Sequence, residues 1–158
     1  MTNSLPLVSV LMTAYNREIY IAQAIESVLQ STYTNFELII VDDGSTDSTL
    51  SIAKKYAEAD ERVYVYQNET NLGDYNNRNR AASLAKGMLY KYLDSDDVIY
   101  PCSIEIIILK SSLIGNGRLS VRGGFIFKPV AKDGYLNSFI KRRAGHLPFG
   151  CTPLAYAA

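Results

Sequence analysis

Two acidic clusters are the residues of this 158-residue chain that are best suited to chemistry. Asp42 and Asp43 directly follow one apolar run, and the sequence DSDD at residues 94–97 directly follows another. Carboxylates that lie close together raise one another's pKa and destabilise a fold unless positive charge lies among them. A hard divalent cation would supply that charge, because Mg²⁺ takes oxygen ligands and commonly combines one or two carboxylates with substrate phosphates.

Either cluster taken alone has a simpler interpretation, because aspartate is common at helix caps and in turns. One kind of metal site is excluded by spacing. A calcium-binding EF-hand loop that began at Asp94 would place Val98 and Ile99 where an oxygen ligand and a glycine are required. The two clusters are therefore informative as a pair, provided that the fold brings them together.

The order of apolar and helix-like segments indicates how the clusters are positioned. Short apolar runs predict strands at residues 7–12, 36–41, 63–66 and 88–93, with a weaker candidate at 124–127. Apolar residues at helical spacing predict helices at about 17–30 after Asn16 as cap, at about 45–57, up to Gly87, and from Pro101 to about Leu113. This alternation predicts an α/β fold with a mainly parallel sheet covered by helices on both faces.

The loops that follow the strands are the expected binding site. In an open α/β sheet, ligands bind in the crevice beyond the carboxyl ends of the strands. Residues 13–17, 42–45 and 94–97 follow the first, second and fourth predicted strands. We therefore expect these three polar segments to meet at one edge of the sheet.

Composition excludes several classes of protein. Lysine plus arginine and aspartate plus glutamate number 16 each, so the net charge is zero, which argues against nucleic acid as a partner. No apolar run approaches the roughly 20 residues that cross a bilayer, and the first residues do not resemble a secretory signal. These features predict a single cytoplasmic domain over residues 1–158.

Four segments together resemble the family 2 inverting glycosyltransferases, which have the Rossmann-like GT-A fold of nucleotide-diphospho-sugar transferases. They are SVLMTAYNRE at 9–18, FELIIVDDGSTD at 36–47, NLG at 71–73 with Arg78-Asn79 and an alanine-rich helix, and YLDSDD at 92–97. They occur in the order and at the spacing of the family and span residues 7 to about 105. Each segment is weak alone, but their combination is specific.

The resemblance implies roles for individual residues at a nucleotide-sugar site. The first-strand motif lines the nucleotide, which here means Thr13, Ala14, Tyr15 and Glu18, and the tyrosine ring offers a stacking face for the base. Asp43 corresponds to the carboxylate that accepts a hydrogen bond from a base N–H. Arg78 corresponds to an arginine near the base and phosphates, where a guanidinium can pair with oxygens bidentately.

The DSDD segment (residues 94–97) corresponds to the D-x-D signature of the family. By resemblance, Asp94, Ser95 and Asp96 contact the donor, Asp96 or Asp97 binds Mg²⁺ or Mn²⁺, and neighbouring side chains bind the ribose. Metal bridging the diphosphate oxygens would act as a Lewis acid on the leaving group.

The implied reaction moves a sugar from a nucleotide-diphosphate sugar, expected to be UDP-linked, to a saccharide or lipid-linked acceptor with inversion. It requires a carboxylate base. Beyond Asp97 only Glu105, on a predicted helix, and Asp133, in a turn, carry a carboxylate, so Asp133 is a weak candidate. We therefore expect residues 1–113 to form the donor-binding half and 114–158 a partial acceptor-side region.

Two alternatives remain open at this point. Without a base, the chain would be a nucleotide-sugar binding module that does not turn over. A phospho-acceptor receiver domain also uses a strand-end acidic pair, but it would place that pair after the first strand rather than the second. Separately, the basic run at residues 141–143 (KRR) could contact a diphosphate or an anionic membrane surface, which would allow peripheral association with the inner face of the cell membrane.

Overall fold

The computed structural model describes residues 5–106, 108, 120–121 and 125–126. Its main feature is a four-stranded, all-parallel sheet in the order β3-β2-β1-β4. The elements in chain order are β1 (Val8–Ala14), α1 (Ile21–Leu29), β2 (Phe36–Asp42), α2 (Thr49–Ala59), β3 (Val63–Gln67), α3 (Asp74–Leu84), β4 (Leu89–Asp94), β5 (Ser120–Val121) and β6 (Phe125–Ile126). The last two form a short antiparallel pair.

Helices cover both faces of the parallel sheet. On one face, Val10 and Leu38 of the central strands pack with Ile25 of α1 and Ala53 of α2. On the other face, the alternate residues of the same strands pack against α3 around Ala81. The central strands are apolar on both faces because both faces are buried. The predicted α/β architecture is therefore confirmed.

The amino end of the sheet is held by a buried carboxylate. Glu37 accepts hydrogen bonds from the Ser9 hydroxyl at 2.6 Å, the Lys86 N–H at 2.7 Å and the Gly87 N–H at 3.2 Å. The chain passes so close to β1 here that a Cβ at Gly87 would lie 2.8 Å from the carbonyl oxygen of Leu7. This cluster fixes the entry into β4 at the end of the sheet opposite the polar strand ends.

Element boundaries differ from the predictions where side chains bond to neighbouring loops. The first helix begins at Ile21 rather than at residue 17, and its cap is Tyr20 rather than Asn16. The third helix ends at Leu84, because the chain beyond it turns to reach Glu37. Of the helix predicted up to residue 113, residues 103–106 and 108 are helical and the rest lies outside the described residues.

Among the helices of the described residues, none combines the length and the apolar character that crossing a bilayer requires.

Candidate functional site

A cleft of about 420 Å³ opens at the carboxyl end of the parallel sheet. Residues at the end of β1 and β4, or in the segments that follow the four strands, line it, because parallel strands end at the same edge. The residues that line it are Thr13, Ala14, Tyr15, Arg17, Asp43, Asn71, Gly73, Asp74, Asn77, Arg78, Asp94, Ser95 and Asp96. The three polar segments that the sequence placed at one edge do meet there.

The loops after β1 and β2 are joined by hydrogen bonds between their motif residues. Asn16, which has a left-handed backbone with φ of 50°, accepts a bond from the Thr46 N–H at 2.9 Å. The Glu18 carboxylate accepts one from the Ser48 N–H at 3.0 Å, and the Glu18 N–H donates to Asp47 at 3.1 Å. Glu18 does not line the cleft. Its contacts instead fix the two loops that form one wall of the cleft.

Asp43 is the hub of a buried polar network beneath the cleft. Its Oδ1 accepts hydrogen bonds from Asn68 Nδ2 at 2.5 Å and from the Leu72 N–H at 2.9 Å, and its Oδ2 accepts one from the Gly73 N–H at 3.0 Å. A carboxylate held by backbone and amide donors remains an acceptor. Asp43 thus holds the loop that follows β3 and keeps acceptor capacity at Oδ2.

Two buried asparagines extend this network into α3. Asn77 donates from Nδ2 to the Val41 carbonyl at 3.0 Å and accepts from Asn68 at 3.1 Å. Arg80 donates to the Asn68 side chain from the other side. Asn77 is buried within α3, where a polar side chain needs hydrogen-bond partners. Here it satisfies a carbonyl at the end of β2 and so fixes α3 against the sheet.

Arg78 lies between two carboxylates on the cleft wall. Its Nε donates to both oxygens of Asp74, at 2.9 and 3.0 Å, and its Nη2 donates to Asp94 at 2.5 Å. The guanidinium carbon lies 5.8 Å from the centre of the Tyr92 ring. Burial lowers the pKa of Arg78, but the hydrogen bonds to the two aspartates outweigh it and raise the pKa above its usual value.

Basic side chains accompany the carboxylates of the DSDD segment. Asp94 is bonded to Arg78, and Arg17 Nε lies 3.8 Å from Asp96. Asp97 lies near Lys91, a buried residue on β4. Burial lowers the pKa of the Lys91 ammonium to about 7, and the charge of Asp97 opposes that shift. In the part of the chain that the structure describes, basic side chains therefore lie among the carboxylates of this edge.

The predicted site residues separate into three groups. Those that line the cleft are Thr13, Ala14, Tyr15, Asp43, Arg78, Asp94, Ser95 and Asp96. Glu18 and Asp97 lie outside its lining, Asp97 in the turn where its N–H bonds to the Asp94 carbonyl at 3.0 Å. Asp133 lies outside the described residues. Within the described ranges, no group of three or more acidic, histidine or cysteine side chains is arranged to hold a metal ion.

Five residues that line the cleft received no individual role from the sequence, although Arg17 lies in the expected binding segment 13–17 and Asn71 and Gly73 lie in a motif of the family. Asn71, Gly73, Asp74 and Asn77 follow β3, and Arg17 follows β1. The signal for the first four was present, since β3 also ends at this edge. These four residues received no role because six residues separate the end of β3 from the start of α3, whereas the acidic segments at 42–43 and 94–97 lie directly at the ends of their strands.

A family profile described as glycosyl transferase family 2 matches residues 9–112, about two thirds of the chain. The chain belongs to this family. That finding confirms the resemblance drawn from the four motifs, and it argues against the alternative that the chain is a receiver domain. In this family 2 chain, the matched region contains the parallel sheet except for its first residue, Val8, and every residue that lines the cleft.

Individual relatives agree with the assignment. The chain is 37% identical over 128 residues to an uncharacterised glycosyltransferase of Haemophilus influenzae, covering 81% of this chain and 39% of that protein. It is 45% identical over 97 residues to the putative teichuronic acid biosynthesis glycosyltransferase TuaG of Bacillus subtilis, covering 61% of this chain and 38% of TuaG. The chain thus spans about two fifths of the length of these relatives.

A solved structure has the same fold. Residues 1–349 of S. aureus TarS, in complex with UDP, superpose with a TM-score of 0.61 at 35% sequence identity. The match covers 65% of this chain and 31% of the TarS chain. The described sheet and helices are accordingly those of a GT-A glycosyltransferase.

Proposed function

We propose that this chain binds a nucleotide-diphosphate sugar in the cleft and transfers the sugar to a saccharide or lipid-linked acceptor with inversion. The observation that carries the proposal is that Asp43 and the first three residues of the DSDD segment, Asp94 to Asp96, line one cleft at the carboxyl edge of the sheet. Strand β1 lies between β2, which leads to Asp43, and β4, which ends at Asp94, so the hydrogen-bond acceptor and the other carboxylates are separated within one site. This arrangement suits a ligand with a base at one end and a diphosphate at the other.

The Asp43 environment supports a base that carries a ring N–H. The carboxylate is fixed as an acceptor by three donors from Asn68, Leu72 and Gly73. Uracil and guanine present a ring N–H donor to such a group, whereas cytosine and adenine present an unprotonated ring nitrogen. The solved complex of TarS with UDP favours uracil as the base, so we propose a UDP-sugar as donor.

Tyr15 and Asp94 complete the proposed nucleoside site. Tyr15 leaves 44% of its surface exposed at the cleft, which allows its ring to stack on a base. Asp94 is held by Arg78, so its carboxylate has a fixed position at which a ribose hydroxyl can donate to it.

Asp96 and Asp97 are the residues that we propose for Mg²⁺ or Mn²⁺. They fit a site that is completed by the ligand, since Mg²⁺ commonly uses one or two carboxylates together with substrate phosphates. Asp96 lines the cleft and is exposed, so it is accessible to such a complex. When bound, the metal ion would neutralise the charge that develops on the leaving diphosphate.

Transfer itself needs an acceptor hydroxyl that attacks the anomeric carbon from the face opposite the diphosphate, while a base removes its proton. We retain Asp133 as the candidate base. The name of TuaG as a putative teichuronic acid biosynthesis glycosyltransferase supports a saccharide acceptor. We further propose that the reaction occurs in the cytoplasm at the inner face of the cell membrane.

The test is turnover of UDP-sugars labelled in the sugar, with Mn²⁺ and a mixture of saccharide and lipid-linked acceptors. Transfer or slow hydrolysis by the wild-type chain, lost in Asp96→Asn, is the expected result. Tight binding of the donor with no release of labelled sugar would instead favour the binding-module alternative. Absence of binding would refute the proposal.

A further inference from the structure

Two arginines line the cleft, and their surroundings differ in a way that separates their functions. Arg78 is bonded to two carboxylates, whereas Arg17 is held mainly by backbone carbonyl groups. Both are candidates for the group that recognises the diphosphate of a donor. Resemblance to the family pointed to Arg78, and the contacts of the two side chains point elsewhere.

Arg78 is bonded to carboxylates rather than to neutral groups. Its Nε is shared by the two oxygens of Asp74, its Nη2 is bonded to Asp94, and only 20% of its side chain is exposed. Two carboxylates at hydrogen-bond distance more than neutralise a single guanidinium. A diphosphate that approached Arg78 would also meet the charges of Asp74 and Asp94, which repel it.

Arg17 is also fixed at the cleft, but its charge is neutralised less than that of Arg78. Its Nη1 donates to the carbonyls of Tyr15 at 3.2 Å and Asn16 at 3.1 Å, which orients the guanidinium but carries no countercharge. Among the described residues, Arg17 forms one ion pair, with Asp96 at 3.8 Å from Nε, which is longer than a hydrogen bond. Within the described part of the chain, no acceptor bonds to Nη2, and 43% of the side chain is exposed.

From this contrast we infer that Arg17 is the arginine that binds the diphosphate of the donor, and that Arg78 is a positioning residue that holds Asp94. Arg17 lines the same cleft as Asp96, the residue proposed to bind the metal. A planar guanidinium with free donors suits bidentate contact with phosphate oxygens. This inference rests on the proposed function, since it assumes that a nucleoside diphosphate occupies the cleft.

The experiment compares a nucleoside with its diphosphate in the wild type and in arginine variants. Nuclear magnetic resonance titrations in Mg²⁺ would first identify which of UDP, GDP, CDP, ADP and dTDP the wild type binds most tightly. The affinity of that nucleotide and of its nucleoside would then be measured for wild type, Arg17→Gln and Arg78→Gln. The informative quantity is the ratio of the diphosphate affinity to the nucleoside affinity, because it isolates the contribution of the phosphates.

We expect Arg17→Gln to lower this ratio by about tenfold or more, the loss of a charge-assisted contact, while nucleoside affinity stays unchanged. Arg17→Lys should restore part of the ratio, because an ammonium still attracts phosphate. Arg78→Gln should weaken nucleoside and diphosphate by the same factor and leave the ratio unchanged. Arg17→Gln should bind Mn²⁺ alone at least as tightly as the wild type does, because removing a cation beside Asp96 does not weaken metal binding.

Three results would overturn the inference. An unchanged ratio in Arg17→Gln would show that Arg17 does not contact the phosphates. A ratio that falls in Arg78→Gln instead would return that role to Arg78. Reduced Mn²⁺ affinity in Arg17→Gln would mean that Arg17 acts through the metal site. If the wild type binds none of the five diphosphates, the proposed function fails as well, so the two failures are distinguishable.

Discussion

Replacement of Asp43 by asparagine keeps the size of the side chain but turns one of its two acceptor oxygens into a donor. In the native protein, Oδ1 accepts from Asn68 and Leu72, and Oδ2 accepts from Gly73. The amide oxygen of the variant can keep the first two bonds. Its NH₂ group must then face the Gly73 N–H, so that two donors oppose each other.

The cost follows from the number and kind of bonds that change. The two retained bonds become neutral, which weakens each by about 1 kcal/mol, and the third bond, worth about 1–2 kcal/mol, is lost. Gly73 still donates to Asn71 Oδ1 at 3.0 Å, so its N–H is not left without a partner. Relief from burying a carboxylate returns about 1 kcal/mol. We therefore expect Asp43→Asn to lower the free energy of unfolding by about 2–3 kcal/mol.

The assay is urea unfolding of both proteins at neutral pH, followed by far-ultraviolet circular dichroism, with the denaturant slope checked for constancy. Asp74→Asn is the matched control, because it makes the same chemical change in the same cleft. The side chain of Asp74 is 72% exposed, so we expect its loss to change stability by no more than about 0.5 kcal/mol. Equal effects of the two substitutions would refute the view that Asp43 organises the loop after β3.

Three further predictions concern other parts of the molecule. Gly87→Ala should destabilise the fold by about 2 kcal/mol or more, because its Cβ would lie 2.6 Å from Ser9 Oγ and 2.8 Å from the Leu7 carbonyl; an unchanged urea midpoint would contradict this. Because the folded-state pKa of Lys91 is about 7, well below its usual 10.5, the unfolded chain binds more protons between these values, so stability should rise from pH 7 to pH 9 by at most about 1.4 kcal/mol per unit. Lys91→Met should flatten that rise in urea unfolding at the two pH values, and equal slopes in both proteins would refute the assignment. Asp96→Asn should reduce the gain in UDP affinity that Mn²⁺ produces by about tenfold or more in calorimetry, and a retained gain would exclude Asp96 as a metal ligand.

The sheet and the location of the site could be predicted from the sequence. Parallel strands that are buried on both faces are continuous apolar runs, and the runs ending at Met12, Val41 and Leu93 are of this kind. Each is followed at once by polar residues. Topology then requires those residues to share an edge, which is why Asp43 and Asp96 could be placed in one cleft without coordinates.

The contacts that assign roles within the cleft could not be predicted in the same way. Arg17 and Arg78 are both arginines in family motifs, and only the folded structure shows that Arg78 is bonded to two carboxylates whereas Arg17 lies 3.8 Å from one. Asn77 is similar, since a polar residue within a helix normally indicates an exposed position. Its burial depends on a carbonyl of β2 that lies 36 residues away in the chain. Such long-range hydrogen bonds leave no periodic signal in a sequence.

The start of the first helix was misplaced for a related reason. Asparagine is a residue type that commonly caps helices, but the side chain of Asn16 accepts a hydrogen bond from Thr46 in the loop after β2. Glu18 likewise bonds to Ser48 rather than supporting its own helix. The helix therefore begins only at Ile21, after these residues have joined the two loops.

The central claim is that the cleft recognises a nucleoside diphosphate through Asp43 and a metal ion through the DSDD segment. Its most direct test is calorimetric titration of the wild-type chain with UDP, GDP, CDP and ADP, each in Mn²⁺ and in EDTA. We predict that UDP binds most tightly, that CDP and ADP bind markedly more weakly because they lack a ring N–H for Asp43, and that Mn²⁺ strengthens UDP binding. Equal affinity for all four nucleotides, UDP binding that does not change with Mn²⁺, or no binding at all would contradict the claim.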